Sequence, residues 1–275
     1  MTLSQADHID PAALLAWHVA MGADEACADE PIDRYSTPAA EPAPQQAAQD
    51  KAQNKPKERP QGPTPIVARP AKPATGAGPE IAAATAAACS TIQELFTALA
   101  AFDGGLVKRS AKNTVLSDGT FGADLMVIGD VPSREDDQEG LSFQGPSGAL
   151  LDKMLAAIGL RRSKDAYLSN VLPWRLLGNS KPDEALLAVC KPFVERHIQL
   201  AKPKIVLFMG GAAAKSLTGT ADSISRQRGK WLELTLGEQT FAALPTYHPT
   251  YLLNQPHQKR AAWADLLATQ KRLSL

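Results

Sequence analysis

Leu125-Met126-Val127-Ile128-Gly129-Asp130 is a run of apolar residues that closes on a glycine and an acid. It has the length of a strand sealed on both faces, and the Gly-Asp step takes the chain out into a polar loop. Downstream the pattern alternates. Residues 147–158 read as an amphipathic helix, with Leu150, Leu151, Met154, Leu155 and Ile158 on one face. Residues 166–171 are the next strand and 183–200 the next helix. Residues 204–209 form a nearly continuous apolar strand, followed by Gly210-Gly211 and a helix through Leu217. A last strand spans 241–247 and a C-terminal helix 257–273, with room for a hairpin or an edge strand within 218–240. Strands alternating with helices in this way predict an α/β fold with a mainly parallel sheet covered on both faces. Ligands bind such sheets beyond the carboxyl ends of the strands, and Asp130, Asn170 and His248 all fall there.

Upstream, residues 81–102 read as one helical run, with Ile92, Leu95, Phe96 and Leu99 at helical spacing and a turn at Asp103-Gly104-Gly105. Residues 36–80 are dominated by Ala, Pro, Gln and Lys. They carry too little apolar surface to offset the entropy of ordering, so a disordered linker is expected. Residues 10–21 read as a short helix with Leu14, Leu15, Trp17, Val19 and Met21. The expected organisation is a helical segment at 1–35, a linker at 36–80 and one α/β domain at 81–275.

The net charge is zero, but it is unevenly spread. Residues 1–50 hold nine acids against Arg34 alone, whereas 81–275 hold 22 bases and 18 acids. A mildly basic domain permits nucleic-acid binding without demanding it. The acidic head is suited to a protein partner. Cys27, Cys89 and Cys190 are too scattered for a disulfide framework. No secretory pattern opens the chain, and the Ala-rich run at 82–88 is too short to span a bilayer. A soluble cytoplasmic monomer is the expectation.

Four segments, taken in order, resemble the family-four uracil-DNA glycosylases and their close relatives. They are Gly129-Asp130-Val131-Pro132-Ser133-Arg134-Glu135-Asp136-Asp137-Gln138-Glu139-Gly140, then Phe143-Gln144-Gly145-Pro146-Ser147-Gly148, then Ser169-Asn170-Val171-Leu172-Pro173-Trp174-Arg175-Leu176-Leu177-Gly178-Asn179, and finally His248-Pro249-Thr250-Tyr251-Leu252-Leu253. The resemblance implies a three-layer α/β/α sandwich around a short parallel sheet. It also implies excision of uracil, or of a related deaminated base, from DNA by base flipping. On that likeness Asn170 reads the Watson–Crick edge of the base with its amide, Phe143 stacks on the base, and Val131 and Asn179 border it. His248 bonds the carbonyl oxygen on which charge develops. Asp130 or Asp136 supplies a carboxylate that steadies the sugar and orients water. DNA contacts fall to Ser147 and Gly148 at a helix start, Arg226 and Arg228 on a basic loop, and the Leu252-Leu253 pair as a wedge.

Departures from the family pattern cluster at the same place. The family usually writes the first motif Gly-Glu-Ala-Pro-Gly; here it is Gly129-Asp130-Val131-Pro132-Ser133. Typical members also hold a four-iron cluster through four cysteines, and the matching positions are Phe102, Gly105, Trp174 and Cys190. With one thiol among them, no cofactor is expected, and Phe102 and Trp174 are expected to fill the space. The alternative reading is a nucleic-acid-binding relative that keeps the fold without turnover.

Overall fold

The computed structural model describes residues 77–274. Residues 1–76, with the helix expected at 10–21 and almost all of the expected linker, lie outside the described residues, as does Leu275.

Eleven α-helices and six strands are described. In chain order they are α1 Pro79–Ala88, α2 Ile92–Ala101, α3 Gly105–Ser110, β1 Ser117–Gly119, β2 Leu125–Gly129, α4 Arg134–Glu139, α5 Gly145–Ala157, α6 Arg162–Asp165, β3 Ala166–Asn170, α7 Glu184–Ala201, β4 Ile205–Met209, α8 Gly211–Thr218, α9 Ile224–Gln227, β5 Leu232–Leu236, β6 Gln239–Thr246, α10 Pro249–Asn254 and α11 Lys259–Leu273. The strands form one sheet in the order β1-β3-β2-β4-β6-β5. The pairs β3-β2, β2-β4 and β4-β6 are parallel, and the edges β1 and β5 run antiparallel. The segment 218–240 thus contributes the helix α9 and one arm of the β5-β6 hairpin.

Every residue of β2, β3 and β4 is buried, as a sheet covered on both faces requires. Alternate residues point to opposite faces and join two apolar clusters. Met126, Ile128, Val206 and Phe208 meet α1, α2, α7 and α8 on one side. Leu125, Val127, Leu207 and Met209 meet α5 and α11 on the other. Each fully buried Leu, Ile or Phe of these layers contributes roughly 1.5–3 kcal/mol.

The helical run at 81–102 is broken in two. Thr91 Oγ1 accepts the Glu94 N–H at 3.2 Å, while the Glu94 carboxylate accepts the N–H groups of Ser90 and Thr91. This reciprocal cap starts α2 afresh, and the Thr-x-x-Glu spacing that signals it is present in the sequence. The first helix begins at Pro79, where proline costs nothing because the first N–H of a helix has no partner. No helix among the described residues is long and apolar enough to cross a membrane.

Candidate active site

The strand registers bring the site together. Gly129 lies opposite Asn170 on one side and Met209 on the other, and Met209 lies opposite Thr246. Four parallel strands therefore end at one level, and the loops leaving them share one rim. Gly129 has to lack a side chain there. A Cβ on it would lie 2.4 Å from Asn170 Oδ1 and 2.7 Å from Phe143 Cζ. Asn170 and Phe143 thus close over the same backbone atom.

Phe143 is 2 % exposed and holds φ at 57°, a conformation few side chains adopt. Its ring stacks on that of His248, with centroids 5.6 Å apart and planes 22° apart. His248 caps α10: its Nδ1 accepts the Thr250 N–H at 3.2 Å. An accepting Nδ1 leaves the ring proton on Nε2. Burial pushes the imidazole pKa down to about 4, so the ring is neutral at physiological pH and Nε2–H is a donor. Asn170 is buried and donates from Nδ2 to Ser142 Oγ at 3.4 Å. It borders a cavity of about 20 Å³ shared with Ser169, Pro173 and Cys190.

Asp130, Phe143 and His248 line a cleft of about 700 Å³, together with Val131, which borders the space without filling it. Asn170 is not on that wall but touches Phe143's neighbourhood over Gly129. Asp130 reaches across the end of β4 to the start of α8, where Oδ1 accepts the Ala213 N–H at 2.8 Å. Gly210, at φ 119°, permits this: a Cβ there would collide with the carboxylate. Burial pushes the Asp130 pKa up to about 6, and the N–H groups of Ala213, Ala212 and Gly211 only partly oppose it.

Asp136 is placed differently. It is the far half of a cap on α4, with Oδ2 accepting the Ser133 N–H at 3.1 Å and Oδ1 accepting the Gln144 N–H at 2.6 Å. Asp136 also lines the cleft, but both its oxygens serve backbone, which gives it the task of holding the Phe143 loop. Asp137 accepts the N–H groups of Lys112 and Asn113 at 2.9 and 3.0 Å. The acidic run thus holds two buried backbone anchors, Asp136 and Asp137, beside the half-buried Glu135.

The expected DNA contacts divide. Ser147 lines the cleft at the start of α5, with Oγ directed to Gln144 O at 3.4 Å. Gly148 lies outside it, packed so closely that a Cβ would stand 1.8 Å from Phe143 O. Arg228 is committed to structure: its guanidinium bonds Asp265 through Nε at 3.0 Å and Nη2 at 2.5 Å, and lies 5.5 Å from the Tyr247 ring centre. Arg226 is exposed and pairs with Asp222 at 3.7 Å. Leu252 is core at 1 % exposure, whereas Leu253 is 41 % exposed, so no two-residue wedge exists. Helical geometry separates the pair, because adjacent residues on α10 face different ways. The Asn179 side chain lies outside what is described. Arg134, Arg175, Tyr251 and Asn254 also line the cleft. Arg175 stands inside the Asn170–Asn179 segment and Tyr251 inside the His248 segment, so both were within reach of the sequence.

The positions at which the family's iron–sulfur ligands fall do not fit such a cluster. Phe102 and Trp174 are buried, and Phe102 packs edge-on against Phe193 at 5.0 Å. The Trp174 indole presses on Gly104, where a Cβ would lie 2.5 Å from Cη2, and its Nε1 donates to Thr114 Oγ1 at 3.1 Å. Cys190 alone offers a thiol, and burial pushes its pKa up to about 12, away from the thiolate that iron needs. Among the described residues no group of three or more His, Cys, Asp or Glu is placed to hold a metal ion.

Comparison with known proteins gives the family of this chain. A model of the uracil DNA glycosylase superfamily matches residues 116–267. The chain is 31 % identical to the type-4 uracil-DNA glycosylase of Sulfurisphaera tokodaii over 158 residues, 56 % of this chain and 71 % of that protein. It is 30 % identical to the type-4 uracil-DNA glycosylase of Archaeoglobus fulgidus over 161 residues, 57 % of this chain and 80 % of that protein. The Thermotoga maritima type-4 enzyme is 31 % identical over 142 residues, 51 % of this chain and 72 % of that protein. The matched span runs from the first strand of the sheet into the last helix and holds every cleft residue described above, and the chain belongs to the uracil DNA glycosylase superfamily.

Proposed function

We propose that this protein is a DNA glycosylase that removes uracil from DNA in base excision repair. The observation that carries the reading is the parallel Phe143–His248 ring pair, with Asn170 closing over Gly129 beside it, at the carboxyl rim of a parallel sheet. A flipped pyrimidine stacks on Phe143, which supplies area with little entropy to lose. The Asn170 amide exchanges its Ser142 bond for the donor and acceptor of the uracil edge. As the glycosidic bond breaks, negative charge collects on the base, and the neutral His248 donates from Nε2 to its carbonyl oxygen. A donor already fixed by the Thr250 bond needs no reorganisation at that moment. Asp130, ionised above its raised pKa and steadied by the first N–H groups of α8, faces the positive sugar and orients water. Ser147 at the start of α5, with Arg134 and Arg175 on the cleft wall, takes up backbone phosphates. The enzyme works without an iron–sulfur cluster, because packing of Trp174 and Phe102 replaces what the cluster would brace.

The Asp130 bond to α8 favours a second reading, a DNA-binding relative without turnover, in which that carboxylate is only a helix cap. Incubation with single- and double-stranded oligonucleotides containing one uracil separates the two. Abasic product that disappears in His248→Ala and Asn170→Ala supports the glycosylase. Binding without product in the wild-type protein supports the second reading.

A further inference from the structure

Outside the cleft, a densely bonded cluster of polar side chains holds the residues that flank Phe143. Arg162, at the start of α6, bonds Asp118 of the edge strand β1 through Nη1 at 2.7 Å and Asp152 of α5 through Nε at 2.8 Å. The same guanidinium reaches Ser142 O at 3.3 Å and Gly148 O at 3.3 Å. Asp118 Oδ2 also accepts Gln144 Nε2 at 3.0 Å, and that amide donates in turn to Ser142 O at 3.0 Å. Burial works against the charged form of Asp118, but the bonds from Arg162, Gly119 and Gln144 outweigh it and hold the carboxyl below its ordinary range.

These bonds end on Ser142 and Gln144, the residues either side of Phe143. From the far side, Asp136 holds the Gln144 N–H at 2.6 Å. Phe143 thus has both neighbours fixed while its own φ stands at 57°. A phenylalanine does not rest there unaided, since its Cβ crowds the backbone in the left-handed region. Phe143 lines both the cleft and a separate hollow of about 310 Å³, whose other walls include Asp118, Gln144, Asp152 and Arg162. Neither Arg162 nor Asp118 lines the cleft.

We propose that Arg162 and Asp118 are positioning residues for base excision, which set the Phe143 ring at the angle the flipped base requires. The inference rests on the glycosylase reading. Arg162 is suited to the task because its planar fork serves β1, α5 and the Ser142 carbonyl at once, which a lysine cannot do. The anchor is firm: Asp118 pairs in register with Leu168 of β3, so the ring's position is referred to the sheet itself.

The test is single-turnover excision by Arg162→Lys, Asp118→Asn, Phe143→Leu and the double variant Arg162→Lys/Phe143→Leu, alongside DNA affinity. Arg162→Lys and Asp118→Asn are each expected to slow excision by about 10- to 100-fold, the range that follows a small misplacement of a reacting group. DNA affinity should stay within about twofold, since no phosphate contact is removed. The double variant should be no slower than Phe143→Leu alone, because the arginine acts through that ring. Losses that multiply, or a folded Arg162→Lys protein excising at the wild-type rate, overturn the proposal. A crystal structure of Arg162→Lys gives a readout that needs no activity. Phe143 should leave φ near 57° or slide off His248, and an unmoved ring overturns the proposal. A wild-type protein that excises nothing defeats the function reading instead, and leaves this ring test standing.

Discussion

Lowering the pH from 8 to 5 should switch off excision through Asp130 while the protein stays folded. Its carboxyl pKa is about 6 against an ordinary 3.8, because burial outweighs the three N–H groups at the start of α8. At pH 5 roughly a tenth of the protein holds Asp130 ionised, so the single-turnover rate should fall about tenfold relative to pH 8. His248 does not contribute to this fall, since its pKa is about 4 and the neutral donor persists throughout the window. Stability should move the other way. A carboxyl whose folded pKa is raised favours folding below its unfolded pKa and loses that advantage as pH rises through about 6. The interval from 3.8 to about 6, at about 1.4 kcal/mol per pH unit, makes ionised Asp130 cost on the order of 3 kcal/mol at pH 8. Asp130→Asn keeps a carbonyl oxygen for the Ala213 N–H and removes the charge. It should therefore be more stable than wild type at pH 8, lose that margin by pH 4, and excise slowly with no rise between pH 5 and 8. Urea melts and single-turnover rates across this range are the assays. A stability margin that does not change with pH, or a wild-type rate that does not fall by pH 5, refutes the role given to Asp130.

Three further outcomes follow from particular contacts. Gly148→Ala puts a Cβ 1.8 Å from Phe143 O, where backbone must move, so a loss of about 3 kcal/mol or more is expected in a urea melt. Arg228→Ala strands Asp265, which is 3 % exposed, and should cost about 3–5 kcal/mol while leaving the salt dependence of DNA binding unchanged. A lower salt slope for that variant would return Arg228 to the DNA surface. Protein purified and reconstituted with iron and sulfide without oxygen should show no thiolate-to-iron absorbance, because Cys190 stands alone among Phe102, Gly105 and Trp174; a stoichiometric four-iron spectrum would contradict that.

The sheet was legible because β2 and β4 are unbroken apolar runs, a pattern that only doubly covered strands require. The placing of Phe143, Asn170 and His248 at one rim followed from strand ends and from motif order. Other features depend on which way a side chain turns, and sequence carries no such signal. Asp130 and Asp136 look alike as acids after a strand, yet one crosses to α8 and the other closes a cap on α4. Arg228 reads as a basic loop residue, and only the approach of α11, 37 residues later, gives it Asp265. The division of Leu252 from Leu253 was open to helical phase, had the six-residue helix α10 been foreseen. Proline at its first turn and the capping His248 were the available signs.

On the glycosylase reading, uracil sits on the Phe143 ring. A crystal structure of the wild-type protein with uracil and an abasic-site duplex tests it most directly. The ring should lie flat on Phe143, with the Asn170 amide on its Watson–Crick edge and His248 Nε2 within hydrogen-bond distance of a carbonyl oxygen. Uracil bound elsewhere, or an extruded sugar pointing away from the Phe143–His248 pair, would contradict the account.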